Sequence, residues 1–173
     1  MIQGAVRLVG DNINTDMISP ARPTPDGSND PMEKVRKNTL ADIDPNFGQS
    51  FVPGSIIVAG KNFGCGSSRE IAATVFKLLG ASALVAESFA RTFFRNAINI
   101  GLPIFEIPDP KALFPEEGHT ALIDPDTGKI TNDTTGQSVN IPPLPKEIQK
   151  IIDLGGLMAY VETVLAEEEQ RPI

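Results

Sequence analysis

Two patterns of apolar positions divide the chain. In its centre, residues 55–59, entered through Pro53-Gly54, and residues 83–86 form largely apolar runs that read as strands buried on both faces. Between them Ile71, Ala72, Val75, Leu78 and Leu79 keep helical spacing as far as Gly80, a residue suited to ending a helix. Phe89, Phe93 and Ala97 mark a second helix that stops near Gly101, and residues 103–107 close the run with a third strand. Strand–helix–strand–helix–strand with short links predicts parallel strands joined by right-handed crossovers.

The flanks read differently. Residues 5–9 form a first strand, ended by Gly10-Asp11-Asn12, and the chain then stays loop-forming to Pro31, with Pro20, Pro23, Pro25 and Gly27 among polar residues. Asp30-Pro31 resembles a helix cap followed by proline at the first helical position, and Met32, Val35 and Leu40 give a modest stripe before Asp44-Pro45. After Pro108, residues 120–123 and 129–131 flank the turn Asp124-Pro125-Asp126-Thr127-Gly128 as a hairpin, and residues 137–141 suit one further strand. Pro142, Pro143 and Pro145 introduce a terminal helical segment broken at Gly155-Gly156, whose acidic end Glu167-Glu168-Glu169 reads as solvated. No internal repeat is visible, and one domain over residues 1–173 is expected.

Composition narrows the function classes. Hydrophobic residues make up 40% of the chain, enough apolar surface to offset the entropy of ordering it. The net charge of −7 argues against nucleic-acid binding, which needs clustered Lys and Arg. Apolar stretches are interrupted well short of the roughly 20 residues of a membrane span, and Met1-Ile2-Gln3-Gly4 does not open a secretory leader, so a cytoplasmic protein is expected. Cys65 is the lone cysteine and His119 the lone histidine. Neither a disulfide nor a multi-cysteine metal or iron–sulfur site can be built from them within the chain.

The chemically interesting stretch is Gly60-Lys61-Asn62-Phe63-Gly64-Cys65-Gly66-Ser67-Ser68-Arg69-Glu70, which leaves a buried strand and enters a helix, where α/β proteins bind ligands. A P-loop fails because Lys61 precedes the loop glycines, and a dinucleotide fingerprint fails because Arg69 stands at the third glycine position. Two readings stay open. Ser67 and Glu70 have the spacing of a capping box. Equally, a helix start attracts anions, and Arg69, which opposes the helix dipole there, suits a two-pronged grip on a carboxylate.

Gly64-Cys65-Gly66-Ser67-Ser68-Arg69-Glu70, together with Gly10-Asp11-Asn12-Ile13-Asn14-Thr15-Asp16, resembles the aconitase superfamily, and within it the separate small subunits of the 3-isopropylmalate dehydratase and homoaconitase group. Ala86-Glu87-Ser88-Phe89-Ala90-Arg91, Asn96-Ala97-Ile98-Asn99-Ile100-Gly101-Leu102-Pro103 and Gly155-Gly156-Leu157 extend the resemblance over nearly the whole chain. It implies an α/β swivelling domain with three β/β/α layers, a parallel β-α-β-α-β core and a C-terminal helix. It also implies a large catalytic subunit as partner, in a heterodimer or heterotetramer. That partner carries the iron–sulfur cluster, so no cofactor and no metal site are expected on this chain. The implied reaction is a hydro-lyase isomerisation of a small hydroxy di- or tricarboxylate, foremost 3-isopropylmalate to 2-isopropylmalate in leucine biosynthesis. Iron acts on the leaving hydroxyl while a serine removes the carbon-bound proton.

Carried over by position, the resemblance makes Ser67 the base and Arg69 the carboxylate ligand, with Ser68 beside them and Asp16 and Ser19 lining the site. As turn formers, Asp16 would only order its loop and Ser19 would only precede Pro20. The loop at residues 22–30, with Arg22 and Thr24, falls where relatives select the substrate's variable group, and it departs from their usual run; Ile71 stands where many have histidine. Homoaconitate, a methylated malate or citraconate therefore remain alternative substrates, and a non-catalytic anion-binding module remains an alternative function. Cys65 reads as a small loop residue, His119 as a surface turn or strand-edge residue, and Phe89, Phe93, Phe94 and Phe105 as apolar mass.

Overall fold

In a computed structural model, described for residues 1–20 and 30–169, β2 (Ile56–Val58) and β3 (Ala83–Ala86) lie at the centre with every residue buried. Beside them stand β1 (Ile2–Leu8) and β4 (Ile104–Glu106), and the four strands run parallel. The hairpin β5 (Thr120–Asp124) and β6 (Lys129–Asn132) and the short β7 (Ser138–Asn140) are antiparallel, and the full order is β4-β3-β2-β1-β5-β6-β7. β1 joins the two halves. Val6, Arg7 and Leu8 pair with β2, whereas Ile2, Gln3, Gly4 and Ala5 pair with β5. The strand therefore starts earlier than its apolar pattern suggests, because residues 2–4 find their backbone partners far along the chain.

Eight helices accompany the strands among the described residues: α1 (Thr15–Ile18), α2 (Pro31–Lys37), α3 (Phe47–Ser50), α4 (Glu70–Leu78), α5 (Arg91–Asn99), α6 (Pro110–Leu113), α7 (Lys146–Asp153) and α8 (Leu157–Glu169). Alternation along the parallel strands sorts the core into two layers. Ile57, Ala59, Leu84, Ala86 and Ile104 face the helical side, packed with Phe63, Ala72, Val75, Phe76, Leu79, Phe93 and Ala97. Ile56, Val58, Ala83, Val85 and Phe105 face the other way and meet Ala121, Ile123 and Ile130 of the antiparallel strands. Helices, parallel strands and antiparallel strands thus give the expected β/β/α order, with all seven strands hydrogen-bonded into one mixed sheet.

Some local expectations need correction. Leu78 is exposed, since the buried face of α4 runs through Ala72, Val75, Phe76 and Leu79 at a strict helical period. Phe89 precedes α5 rather than opening it, and its N–H donates to Glu106 Oε1 at 2.9 Å. Leu40 is fully buried beyond the end of α2 at φ 56°, with its N–H on Ile18 O, while Met32 on α2 is exposed. The single histidine sits at the strand edge just before β5, half-buried rather than on an open turn. Its ring is largely enclosed, and Nδ1 lies 2.8 Å from Nδ2 of the fully buried Asn132. Asn132 Nδ2 also donates to Leu113 O, and its Oδ1 accepts from Thr134 N and Thr135 N, so one side chain ties the hairpin's far end together.

Candidate functional site

The loops that leave the carboxyl ends of β1, β2 and β3 are laced side by side. Gly60 N donates to Gly10 O, Asn12 N to Lys61 O, Gly64 N to Ile13 O and Thr15 N to Cys65 O. On the other flank Phe63 N donates to Ser88 O, and Ala90 N to Phe63 O. Side chains close the remaining gaps: Asp11 Oδ1 accepts from Lys61 N at 3.0 Å, Ser88 Oγ from Asn62 N at 2.9 Å, and Asn62 Nδ2 donates to Asn12 Oδ1 at 3.2 Å. Asn12 and Asn62 hold φ of 54° and 55°, a left-handed conformation that asparagine tolerates better than most residues. Asn62 sits in the glycine-rich loop and Ser88 in a run that carries the resemblance, but neither stood out there as a site residue.

This lacing aims the residues 64–69. The fully buried Phe63 anchors the loop against Phe93 and Phe89 in edge-on contacts. Gly64 then turns at φ 76°, where any Cβ would run into the Phe93 ring. Beyond it, Ser67 and Ser68 stand exposed. The capping box does not form. Arg69 is the N-cap of α4 with no side-chain cap, and Arg69 N donates to Ser67 O at 2.8 Å, which leaves Ser67 outside the helix. The exposed Ser67 hydroxyl thus caps nothing.

Asp16 and Arg69, far apart in sequence, meet here. Asn14 caps α1 by accepting from Met17 N at 2.8 Å, which sets Asp16 in the first turn. Arg69 Nη1 then donates to Asp16 Oδ1 at 2.7 Å. Asp16 is the more open partner, with 75% side-chain exposure against 31% for Arg69. Among the described residues Asp16 is the only acceptor of the Arg69 guanidinium, so its Nε–Nη2 edge remains available to a second carboxylate. Ser67 and Ser68, both exposed, directly precede Arg69, so these three and Asp16 lie close together on the protein surface. Ser19 does not join them in the open: it is buried at the C-terminal end of α1. Arg22 and Thr24 lie outside the described residues. Ile71 is half-buried in the first turn of α4, and Cys65, also half-buried, has Sγ 3.9 Å from Asn12 O. Thr15, unremarked in the sequence as a site residue, is 2% exposed, and its Oγ1 has no hydrogen-bond partner. An unpaired buried hydroxyl costs about 1–3 kcal/mol.

A parallel α/β core with a glycine-rich Ser-Ser-Arg loop at its strand ends defines the class. The family model described as the aconitase C-terminal domain matches residues 28–109. A 3-isopropylmalate dehydratase small subunit from Thermodesulfovibrio yellowstonii is 46% identical over 97% of this chain and 98% of its own. A 2,3-dimethylmalate dehydratase small subunit from Eubacterium barkeri is 46% identical over 92% and 95%. The crystal structure of a 3-isopropylmalate dehydratase from Methanocaldococcus jannaschii superimposes with a TM-score of 0.85 at 33% identity, covering 99% of each chain. The chain belongs to the family of 3-isopropylmalate dehydratase small subunits.

Proposed function

We propose that the chain is the small subunit of a hydro-lyase that moves a hydroxyl between neighbouring carbons of a dicarboxylate, with 3-isopropylmalate as substrate. The observation that carries this reading is the surface cluster of Ser67, Ser68 and Arg69, with Arg69 oriented by Asp16. Arg69 receives a substrate carboxylate on its unused edge, and the charge-assisted fork fixes the substrate's orientation. Ser67, with a hydroxyl that caps nothing, takes the proton from the carbon next to the departing hydroxyl and later returns it to the neighbouring position. Arg69 and the open start of α4 supply the positive potential that an alkoxide needs. Ser68 stands beside Ser67, and the loop at residues 22–30, of which 22–29 lie outside the described residues, is the segment to examine for substrate choice.

The described residues contain no group of three or more His, Cys, Asp or Glu that could hold a metal ion. The sequence holds a single cysteine, Cys65, and we place the family's iron–sulfur cluster on a large-subunit partner, which the naming of the relatives as small subunits implies. When bound there, the cluster polarises the leaving hydroxyl. No described helix is long and apolar enough to cross a membrane, and we place the complex in the cytoplasm.

The similarity to a 2,3-dimethylmalate dehydratase small subunit supports a second substrate, a methylated malate, on the same machinery. Assay of the complex reconstituted with its large subunit decides between them. Turnover of 3-isopropylmalate is expected at a higher kcat/KM than that of 2,3-dimethylmalate; the reverse order would reassign the substrate, and turnover of neither would refute the reading.

A further inference from the structure

A buried polar group without a partner marks a place where the structure is prepared for something it does not yet hold. Thr15 Oγ1 is the one such side-chain atom among the described residues. Its setting is specific. Thr15 opens α1 one residue before Asp16, and its N–H is already spent on Cys65 O at 2.8 Å. The hydroxyl looks onto Gly66, the residue before Ser67: a Cβ built on Gly66 would stand 3.3 Å from Thr15 Oγ1. Gly66 holds φ 99°, a conformation that side-chain-bearing residues rarely adopt, and with no side chain of its own it lets Thr15 Oγ1 approach its backbone. Nothing about packing requires a hydroxyl here, since valine has the same shape without the unsatisfied group.

We infer that Thr15 is a positioning residue whose hydroxyl donates a hydrogen bond to Ser67 Oγ when the residues 66–67 settle against bound substrate. In the free chain Ser67 is exposed and Thr15 Oγ1 unpaired. A turn about Gly66 that carried Ser67 toward Thr15 would give the buried Thr15 hydroxyl the partner it lacks. The bond holds the Ser67 oxygen toward the substrate and stabilises its charge while the proton is being taken, which is when a donor aimed at an oxyanion acts most strongly. This rests on the assignment of Ser67 as the base.

The test compares Thr15→Val, Thr15→Ser and Ser67→Ala in the reconstituted complex. Thr15→Val is expected to lower kcat by on the order of tenfold to a hundredfold, leave KM within about twofold, and move the acidic limb of the kcat/KM profile to higher pH, because the base has lost a donor to its charged form. The free Thr15→Val chain should unfold at the same temperature as the parent or a higher one, since no bond is lost. Thr15→Ser should restore kcat and the pH profile. If Ser67→Ala is inactive while Thr15→Val turns over normally, the inference fails and the base assignment stands. A Thr15→Val chain that melts lower, with an unmoved pH profile, also overturns the inference by making Thr15 a packing residue. Normal turnover by Ser67→Ala overturns the base assignment itself, and this inference with it.

Discussion

The parallel and antiparallel halves share β1 yet are built on opposite terms. β2 and β3 are buried at every position, clasped between helices on one face and the antiparallel strands on the other. β5, by contrast, alternates between buried and half-exposed residues, and the flanking β7 has no buried residue. The difference follows from covering, since parallel strands need crossovers that coat them while a hairpin can leave one face wet. The proposed function divides along the same line. In the parallel half the strands end together and their laced loops carry Asp16, Ser67, Ser68 and Arg69. The antiparallel half spends its polar residues on itself, as Asn132 does with Leu113, His119, Thr134 and Thr135.

The sharpest way to break this division is one substitution in each half. Ser67→Ala should lower kcat of the assembled complex by about a hundred- to ten-thousand-fold, while changing unfolding free energy by less than about 0.5 kcal/mol, because the hydroxyl is exposed and caps nothing. Ile123→Ala in β5 should do the opposite, costing about 2–5 kcal/mol of stability with kcat per folded complex unchanged. Denaturant unfolding and steady-state kinetics on both variants check the pair. A stability loss at Ser67 with intact turnover would make it a structural residue.

Much of the parallel half was legible in the sequence because its signals are local. Residues 83–86 read as a strand with the bounds that β3 has, and Gly80 follows the end of α4 at φ 77°. What stayed hidden depends on distant partners. Nothing near Ser67 shows that the loop from β1 will hold Cys65 and draw Ser67 away from the helix start, so its S-x-x-E spacing suggested a cap that does not form. The role of His119 was equally hidden, since Asn132, which buries its ring nitrogen contact, lies on the next strand. The resemblance singled out both Asp16 and Arg69, but their ion pair appears only when the loops are brought side by side.

A smaller effect sharpens the picture within the site. Arg69→Lys keeps the positive charge but loses the fork that serves Asp16 and a substrate carboxylate together, so KM should rise by about tenfold or more, with a lesser fall in kcat. Initial rates over a range of substrate concentration separate the two. An equal fall in kcat with unchanged KM would assign Arg69 to the chemical step instead of to binding.

The smallest effect is expected on α2, away from both halves' centres. Hydrogen bonds from Arg36 hold the Glu33 carboxyl down at about 2, aided by the charges of Arg36 and Lys37. A carboxyl lowered in the folded state stabilises the fold above its unfolded value of 4.5, and that contribution fades as pH falls toward about 2. Glu33→Gln should therefore flatten the acid side of the stability profile slightly in that window and leave neutral-pH turnover alone. Because the pair is partly exposed, the change should be small.

On the proposed reading, this chain supplies the catalytic face to a reaction it does not perform alone. Titrating it into a fixed amount of the cluster-loaded large subunit, with 3-isopropylmalate present, tests that claim most directly. Turnover should be absent from either component alone, rise as the chain is added and saturate at a fixed ratio, whereas Ser67→Ala should compete with the parent chain for assembly without restoring turnover. Full activity from the large subunit alone, or equal activity with Ser67→Ala, would contradict it.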